Sequence, residues 1–259
     1  MCGIFGIAKK KNAQTEYELK QLERVLTKLT ALSVVRGEHS TGLAFISNGK
    51  NPMIFKSLKK SSNLVKHRDW DTIIEELTPE TSVVLGHTRW KTHGKITLEN
   101  AHPFHIGSVI GTHNGMIHNH RDISVNKKEV YEVDSQAVFA LFDSNSNLQE
   151  CLDEIYGDYA LAWNKGNRDI LHLLKEKGRP CYFGYWKEAR VLLYASQQDI
   201  LEEAIKGTEI SMKIYELKND TLYTIDTSKF NRKMNFTKKS YDTNVIASNY
   251  MLETNYFGG

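Results

Sequence analysis

The second residue of this chain, a cysteine directly behind Met1, is the first that could do chemistry. A small residue there favours removal of the methionine, which would leave Cys2 with both a thiol and a free α-amine. The thiolate is the nucleophilic form. An α-amine has an ordinary pKa of roughly 7.7–8.0, so near neutrality it can accept the thiol's proton. A terminal amine serving as base for its own side chain activates a nucleophile without histidine. Gly3 is expected to leave room for a substrate beside the backbone. Ile4, Phe5 and Ile7 read as a short buried strand that holds Cys2 in place. The competing reading is an ordinary small residue at a chain end.

Histidine is the other reactive type in quantity. Seven of the ten lie between His87 and His120. The spacings His102-x-x-His105 and His118-x-His120 make a metal-dependent hydrolase the rival reading. There is no His-Glu-x-x-His and no paired-cysteine knuckle, and no metal site is assigned. Most of these histidines are expected to bond within loops. Cys151 and Cys181 sit in apolar surroundings and read as packing thiols.

The elements that must position these residues are readable from spacing. Leu19, Leu22, Val25, Leu26, Leu29 and Leu32 recur at helical spacing, predicting an amphipathic helix over 17–35. Arg36 to Gly42 is a polar loop running into the strand 43–46, and Asn48-Gly49 turns toward a strand at 53–55. A short helix is expected over 70–77. Residues 81–86 and 108–111 read as buried strands. Each ends in a polar, glycine-containing segment, Gly86 to Gly94 and Thr112 to Ile117, which suits a site along one sheet edge. Helices are predicted at 134–142, 148–156 and 199–205, with strands at 159–163, 170–175, 181–186 and 191–195. A hairpin is expected from 214–217 with 222–225. Strands outnumber helices and the helices fall in groups, which favours an α+β layered fold.

The chain has 259 residues, 25% of them charged, with a net charge of +3. This fits one globular domain and gives no reason to expect nucleic acid. Three widely spaced cysteines do not form a disulfide framework. No apolar run resembles a signal peptide or membrane span, so a cytoplasmic protein is expected. The periodic pattern ends near 228, dividing the chain into a domain at 1–228 and an aromatic, basic tail at 229–259. Part of that tail is expected to dock, on its own domain or on a partner.

Seven segments in order carry a resemblance. They are Met1-Cys2-Gly3-Ile4-Phe5-Gly6, Arg36-Gly37-x-x-Ser40-x-Gly42, Gly86-His87-Thr88-Arg89-Trp90-x-Thr92-His93-Gly94, Asn100-Ala101-His102-Pro103, His113-Asn114-Gly115, Asp134-Ser135 and Gly157-Asp158-Tyr159-Ala160-Leu161. Together they resemble the class II glutamine amidotransferase domain of the N-terminal-nucleophile hydrolases, most of all the glutaminase half of glucosamine-phosphate synthase. The resemblance implies a four-layer αββα sandwich and a thioester on Cys2 during hydrolysis of the glutamine side-chain amide. It implies that Cys2 is the nucleophile and that Asn114 and Gly115 donate to the oxyanion. Arg89 would clamp the glutamine α-carboxylate, Asp134 would meet the α-ammonium, and Trp90, Thr92 and His93 would line the pocket. Chemistry agrees: arginine binds a carboxylate bidentately, and an amide donor beside a glycine N–H suits an oxyanion. Alone, Arg89 could be a structural ion pair, Asp134 a helix cap, and Asn114-Gly115 a hairpin turn.

The sequence departs from the family where an acidic residue is replaced by His39, an alanine by Lys91, and an acidic residue by Gln136. No cofactor is expected. The implied partners are glutamine and a separate ammonia-acceptor enzyme, with no membrane; a homo-oligomer is left open. The second reading is a catalytically silent relative that binds or regulates a partner.

Overall fold

The computed structural model describes residues 1–92, 94–126 and 129–243. In chain order the elements are β1 (Gly3–Lys9), α1 (Glu16–Leu32), β2 (Ser40–Ile46), β3 (Met53–Ser57), α2 (Ser61–Leu64), α3 (Asp69–Ile74) and β4 (Val83–Arg89). Next come β5 (Phe104–Ile106), β6 (Val109–Ile117), α4 (His120–Asn126), α5 (Asp134–Ser144), α6 (Leu148–Asp153), β7 (Gly157–Lys165) and β8 (Ile170–Lys175). The chain continues through β9 (Tyr182–Trp186), β10 (Val191–Ala195), α7 (Gln198–Ile205), β11 (Ile214–Glu216), β12 (Thr221–Asp226) and β13 (Phe236–Ser240).

Two antiparallel sheets result, ordered β11-β9-β10-β1-β4-β2-β3 and β13-β12-β8-β7-β6-β5. Three apolar cores separate four layers. Phe5 and Ile7 of β1 face α1, where Leu22, Val25, Leu26 and Leu29 meet them. Ile4 and Ala8 of the same strand face the second sheet, packing with Ile110, Ala160 and Leu173. Beyond that sheet, Val138, Leu141 and Phe142 of α5 pack on Leu161 and Trp163. The arrangement is the expected αββα sandwich. Because β1 is covered on both faces, its apolar residues run without alternation.

α1 begins where its sequence says it should. The Thr15 hydroxyl accepts from Glu18 N at 3.2 Å, and the Glu18 carboxylate accepts from Thr15 N at 2.7 Å. This reciprocal box satisfies two backbone donors that a helix end leaves over.

Two expectations change, and part of the tail docks on the domain as expected. β4 and β6 do not stop at Gly86 and Gly111 but run on to Arg89 and Ile117, so the polar segments are themselves strand. The predicted hairpin at 214–225 is not one: β11 pairs with β9 in one sheet, while β12 pairs with β8 and β13 in the other. The connection carries the chain between layers. Past residue 228, Phe230 is fully buried between the sheets and β13 forms an edge strand. Residues 244–259 of the tail lie outside the described residues. Among the described residues no helix is long and apolar enough to cross a membrane.

Candidate active site

Cys2 sits where β1 begins, in the middle of its sheet. The register pairs Gly3 with Thr88 of β4, which brings Cys2 beside Arg89 and Trp90. Trp90 N donates to the Cys2 sulfur at 3.3 Å, and the thiol donates to Trp90 O at 3.3 Å. Arg36 Nε donates to Cys2 O at 3.2 Å. Gly3 serves a different purpose from the one expected. A Cβ there would lie 2.7 Å from Arg36 Cβ and 2.8 Å from Thr88 Oγ1, so its space is taken by these side chains and not by substrate.

Burial pushes the Cys2 thiol up, while the Trp90 N–H opposes that rise; Asp134 raises it further and Arg89 lowers it. Arg89 is the last residue of β4, 2% exposed, and donates to Lys95 O at 2.9 Å. Asp134 opens α5, where a helix N-terminus favours negative charge. Its carboxylate accepts from Ile117 N and from Ser135 N, each at 2.9 Å. The bond to Ile117 ties the start of α5 to the end of β6.

The facing sheet contributes Asn114 and Gly115 from within β6, opposite Ala160 and Tyr159 of β7. They form no hairpin turn. Asn114 is fully buried, yet among the described residues neither its Nδ2 nor its Oδ1 has a hydrogen-bond partner. Leaving such a group unmet costs about 1–3 kcal/mol, so each case calls for a reason. Glycine is required at 115 because a Cβ would stand 1.9 Å from Asp158 O on the next strand.

A histidine layer joins the sheets. His87 Nε2 lies 2.9 Å from His113 O, and the His102 ring stacks on His87 at 3.9 Å. Burial lowers the His87 pKa to about 3, so the ring is neutral and its Nε2 carries the proton to donate. His113 Nδ1 meets Ser135 Oγ at 2.8 Å, a second tie between β6 and α5. Among the described residues no three His, Cys, Asp or Glu side chains are grouped to hold a metal ion.

Of the residues named from sequence, Cys2 is hydrogen-bonded to Trp90 beside Arg89 at the end of β4, Asp134 begins α5, and Asn114 and Gly115 stand on the sheet opposite. Trp90 is 45% exposed. Thr92 is exposed two residues beyond it, and His93 lies outside the described residues. Sequence reasoning gave Arg36 no role, although it stands in the quoted motif and holds the Cys2 carbonyl.

The side chains at two substituted positions, His39 and Gln136, bond to backbone. His39 Nδ1 accepts from Lys91 N at 2.9 Å. Gln136 Oε1 accepts from Val133 N at 3.1 Å, the bond that a carboxylate makes at the third helical position of a capping box.

The family model for the glutamine amidotransferase domain matches residues 40–245. A glutamine–fructose-6-phosphate aminotransferase (isomerizing) of Wigglesworthia glossinidia brevipalpis is 28% identical, over 94% of this chain and 40% of its own length. The enzyme of that name from Fusobacterium nucleatum subsp. nucleatum is 34% identical, over 62% of this chain and 26% of its own. The chain thus spans between about a quarter and two fifths of these curated relatives. Among solved structures, the glutamine phosphoribosylpyrophosphate amidotransferase from B. subtilis superposes with a TM-score of 0.66 at 15% identity, covering 92% of this chain and 49% of that one. A structure described as the allosteric regulatory enzyme of purine biosynthesis gives 0.67 at 16% identity, with the same coverage. At such identities the likeness is one of fold.

Proposed function

The chain belongs to the glutamine amidotransferase domain family, and from that premise we propose that it is a class II glutamine amidotransferase that hydrolyses the side-chain amide of glutamine through a thioester on Cys2. The observation that carries this reading is the place of Cys2: its sulfur is hydrogen-bonded to the Trp90 backbone directly after Arg89, the last residue of β4. Arg89 and Asp134 bear opposite charges, and they shift the thiol's protonation in opposite directions. A free amino acid bears a carboxylate and an ammonium on one carbon, and recognising it takes a cation and an anion held apart.

Removal of Met1 frees the Cys2 amine. That amine takes the thiol proton, and the sulfur attacks the side-chain carbonyl carbon of glutamine. The oxyanion formed is met by Asn114 Nδ2 and the Gly115 N–H. The carbon–nitrogen bond then breaks, the ammonium on Cys2 returns the proton to the leaving nitrogen, and ammonia departs. Water, giving a proton to the same amine, attacks the thioester and releases glutamate with the thiol restored. The resemblance assigns Trp90, Thr92 and His93 to the substrate pocket. A base near Cys2 must be neutral to act. The amine of Met1 at this place is lowered by burial first, with Arg36 and Arg179 adding to it. Arg36 is the residue bonded to Cys2 O, so an amine on Cys2 would feel the same cation.

Ammonia is assigned to a separate acceptor enzyme in the cytoplasm. Purified chain with its N terminus confirmed by mass should release ammonia and glutamate from glutamine, and Cys2→Ala should fold and release neither. Absence of turnover in the Met1-free wild type would favour the silent binding protein. Formation of an aminated sugar phosphate by this chain alone would overturn delivery in trans.

A further inference from the structure

We propose that Arg179 is a positioning residue for the catalytic amine: anchored on Asp158, its guanidinium faces the start of β1, where removal of Met1 exposes that amine. The proposal rests on the reading of Cys2 as a nucleophile whose own amine is the base. Arg179 stands on the connection between β8 and β9, which crosses from one sheet to the other. Its Nη2 donates to Asp158 Oδ2 at 2.6 Å, and its Nη1 donates to the Met1 sulfur at 2.9 Å. The bond to Asp158 needs nothing from Met1. Asp158 sits on β7 opposite Met116 of β6, and its carbonyl is the atom packed against Gly115. Gly178 lets the connection lie close to this anchor, since a Cβ there would stand 3.3 Å from Asp158 Cβ. The Arg179 side chain is 16% exposed, and among the described residues its Nε has no hydrogen-bond partner.

Arg36 comes to the same place. Its Nη2 lies 3.9 Å from the Met1 sulfur, and the charge of Arg179 opposes its own, while Asp199 of α7 favours it. Gathering like charges where they are partly buried is unfavourable, which calls for a reason. The groups facing Cys2 divide by the end they act on. Beside burial and the Trp90 N–H, the side chains that act on the thiol are Asp134 of α5 and Arg89 of β4. At the chain start burial does most to release the amine proton, the Cys2 thiolate opposes that, and Arg36 and Arg179 reinforce it. A base must be unprotonated to accept, so a cation beside it enlarges the fraction ready to act. The role needs charge: lysine at 179 keeps it and glutamine removes it.

The test reads the amine itself, in a Cys2→Ala background where no thiol competes. The parent, Arg179→Lys, Arg179→Gln and the double variant Arg179→Gln/Asp158→Asn are compared, each shown by mass to lack Met1 and by melting temperature to fold. Acetic anhydride in trace amounts modifies only the neutral α-amine, and the rate is followed across pH. Removing the cation should move the midpoint of that profile upward and slow acetylation at pH 7 by about 3- to 10-fold, whereas lysine should stay near the parent. In chains that keep Cys2, the acid limb of kcat/KM for glutamine should move the same way. An unchanged midpoint in the folded glutamine variant overturns the proposal. So does a rise that the added Asp158→Asn abolishes, since the unpaired carboxylate and not the lost cation would be its cause. If the single glutamine variant does not fold, the double variant decides: a raised midpoint supports the role and the parent midpoint refutes it. Acetylation needs no glutamine, so a Cys2 chain that fails to turn over glutamine would sink the preceding reading and leave this titration intact.

Discussion

In the proposed reaction Asn114 is an oxyanion donor, a buried amide whose donor and acceptor have no partner among the described residues. Asn114→Ala is therefore expected to leave the melting temperature nearly unchanged while lowering kcat for glutamine by about 10²- to 10³-fold, the usual loss for one oxyanion donor. A clear drop in stability with kcat intact would assign it to packing instead. Arg89→Lys should raise KM for glutamine more than it lowers kcat, since a point charge replaces a two-pronged clamp; steady-state kinetics decide this. These residues were readable because seven short motifs fall in one order along the chain. The contacts of His39 and Gln136 were not. A substitution in a motif announces a change of side chain, while the backbone bond that the new side chain makes depends on geometry that only the folded loop supplies.

At the scale of elements, the polar ends of β4 and β6 show why the site was harder to delimit than to find. Hydropathy ends each strand at its last apolar residue. The ladder continues through His87, Thr88 and Arg89, and through His113, Asn114 and Gly115, since pairing needs only backbone. The site thus sits inside the sheets and inherits their rigidity. Gly115→Ala should cost on the order of 1–3 kcal/mol in chemical denaturation, because the neighbouring strand must yield at Asp158 O. Wild-type stability in that variant would mean β6 is looser than drawn. The 214–225 stretch failed differently. Two short apolar runs around a turn read as a hairpin, and nothing local tells that one joins β9 at the edge of the first sheet and the other lies between β8 and β13 in the second. The Thr15-x-x-Glu18 box could have fixed the start of α1, which periodicity alone placed at Tyr17.

The whole molecule buries Lys9 at the end of β1 with carbonyl partners only: Pro79 O at 2.8 Å and Gln14 Oε1 at 3.1 Å. Burial, with Lys11 beyond it, lowers its pKa to about 7. Between that value and the ordinary lysine range, the unfolded chain binds the extra proton. Stability from this residue therefore rises with pH across about 7 to 10.5, by at most about 1.4 kcal/mol per unit. Lys9→Met should flatten the denaturation midpoint over that window; an unchanged slope would show that Lys9 keeps its charge in the fold. The layered architecture was expected from grouped helices and the resemblance, and three stacked cores bear it out. All of it converges on the first strand, whose leading residue is held to do the chemistry. Intact-mass analysis of protein quenched during glutamine turnover, followed by sequencing of the modified peptide, tests this most directly. The expected species is a γ-glutamyl adduct on Cys2 in a chain that has lost Met1, whereas steady turnover by chains that keep Met1, or an adduct on another residue, would contradict it.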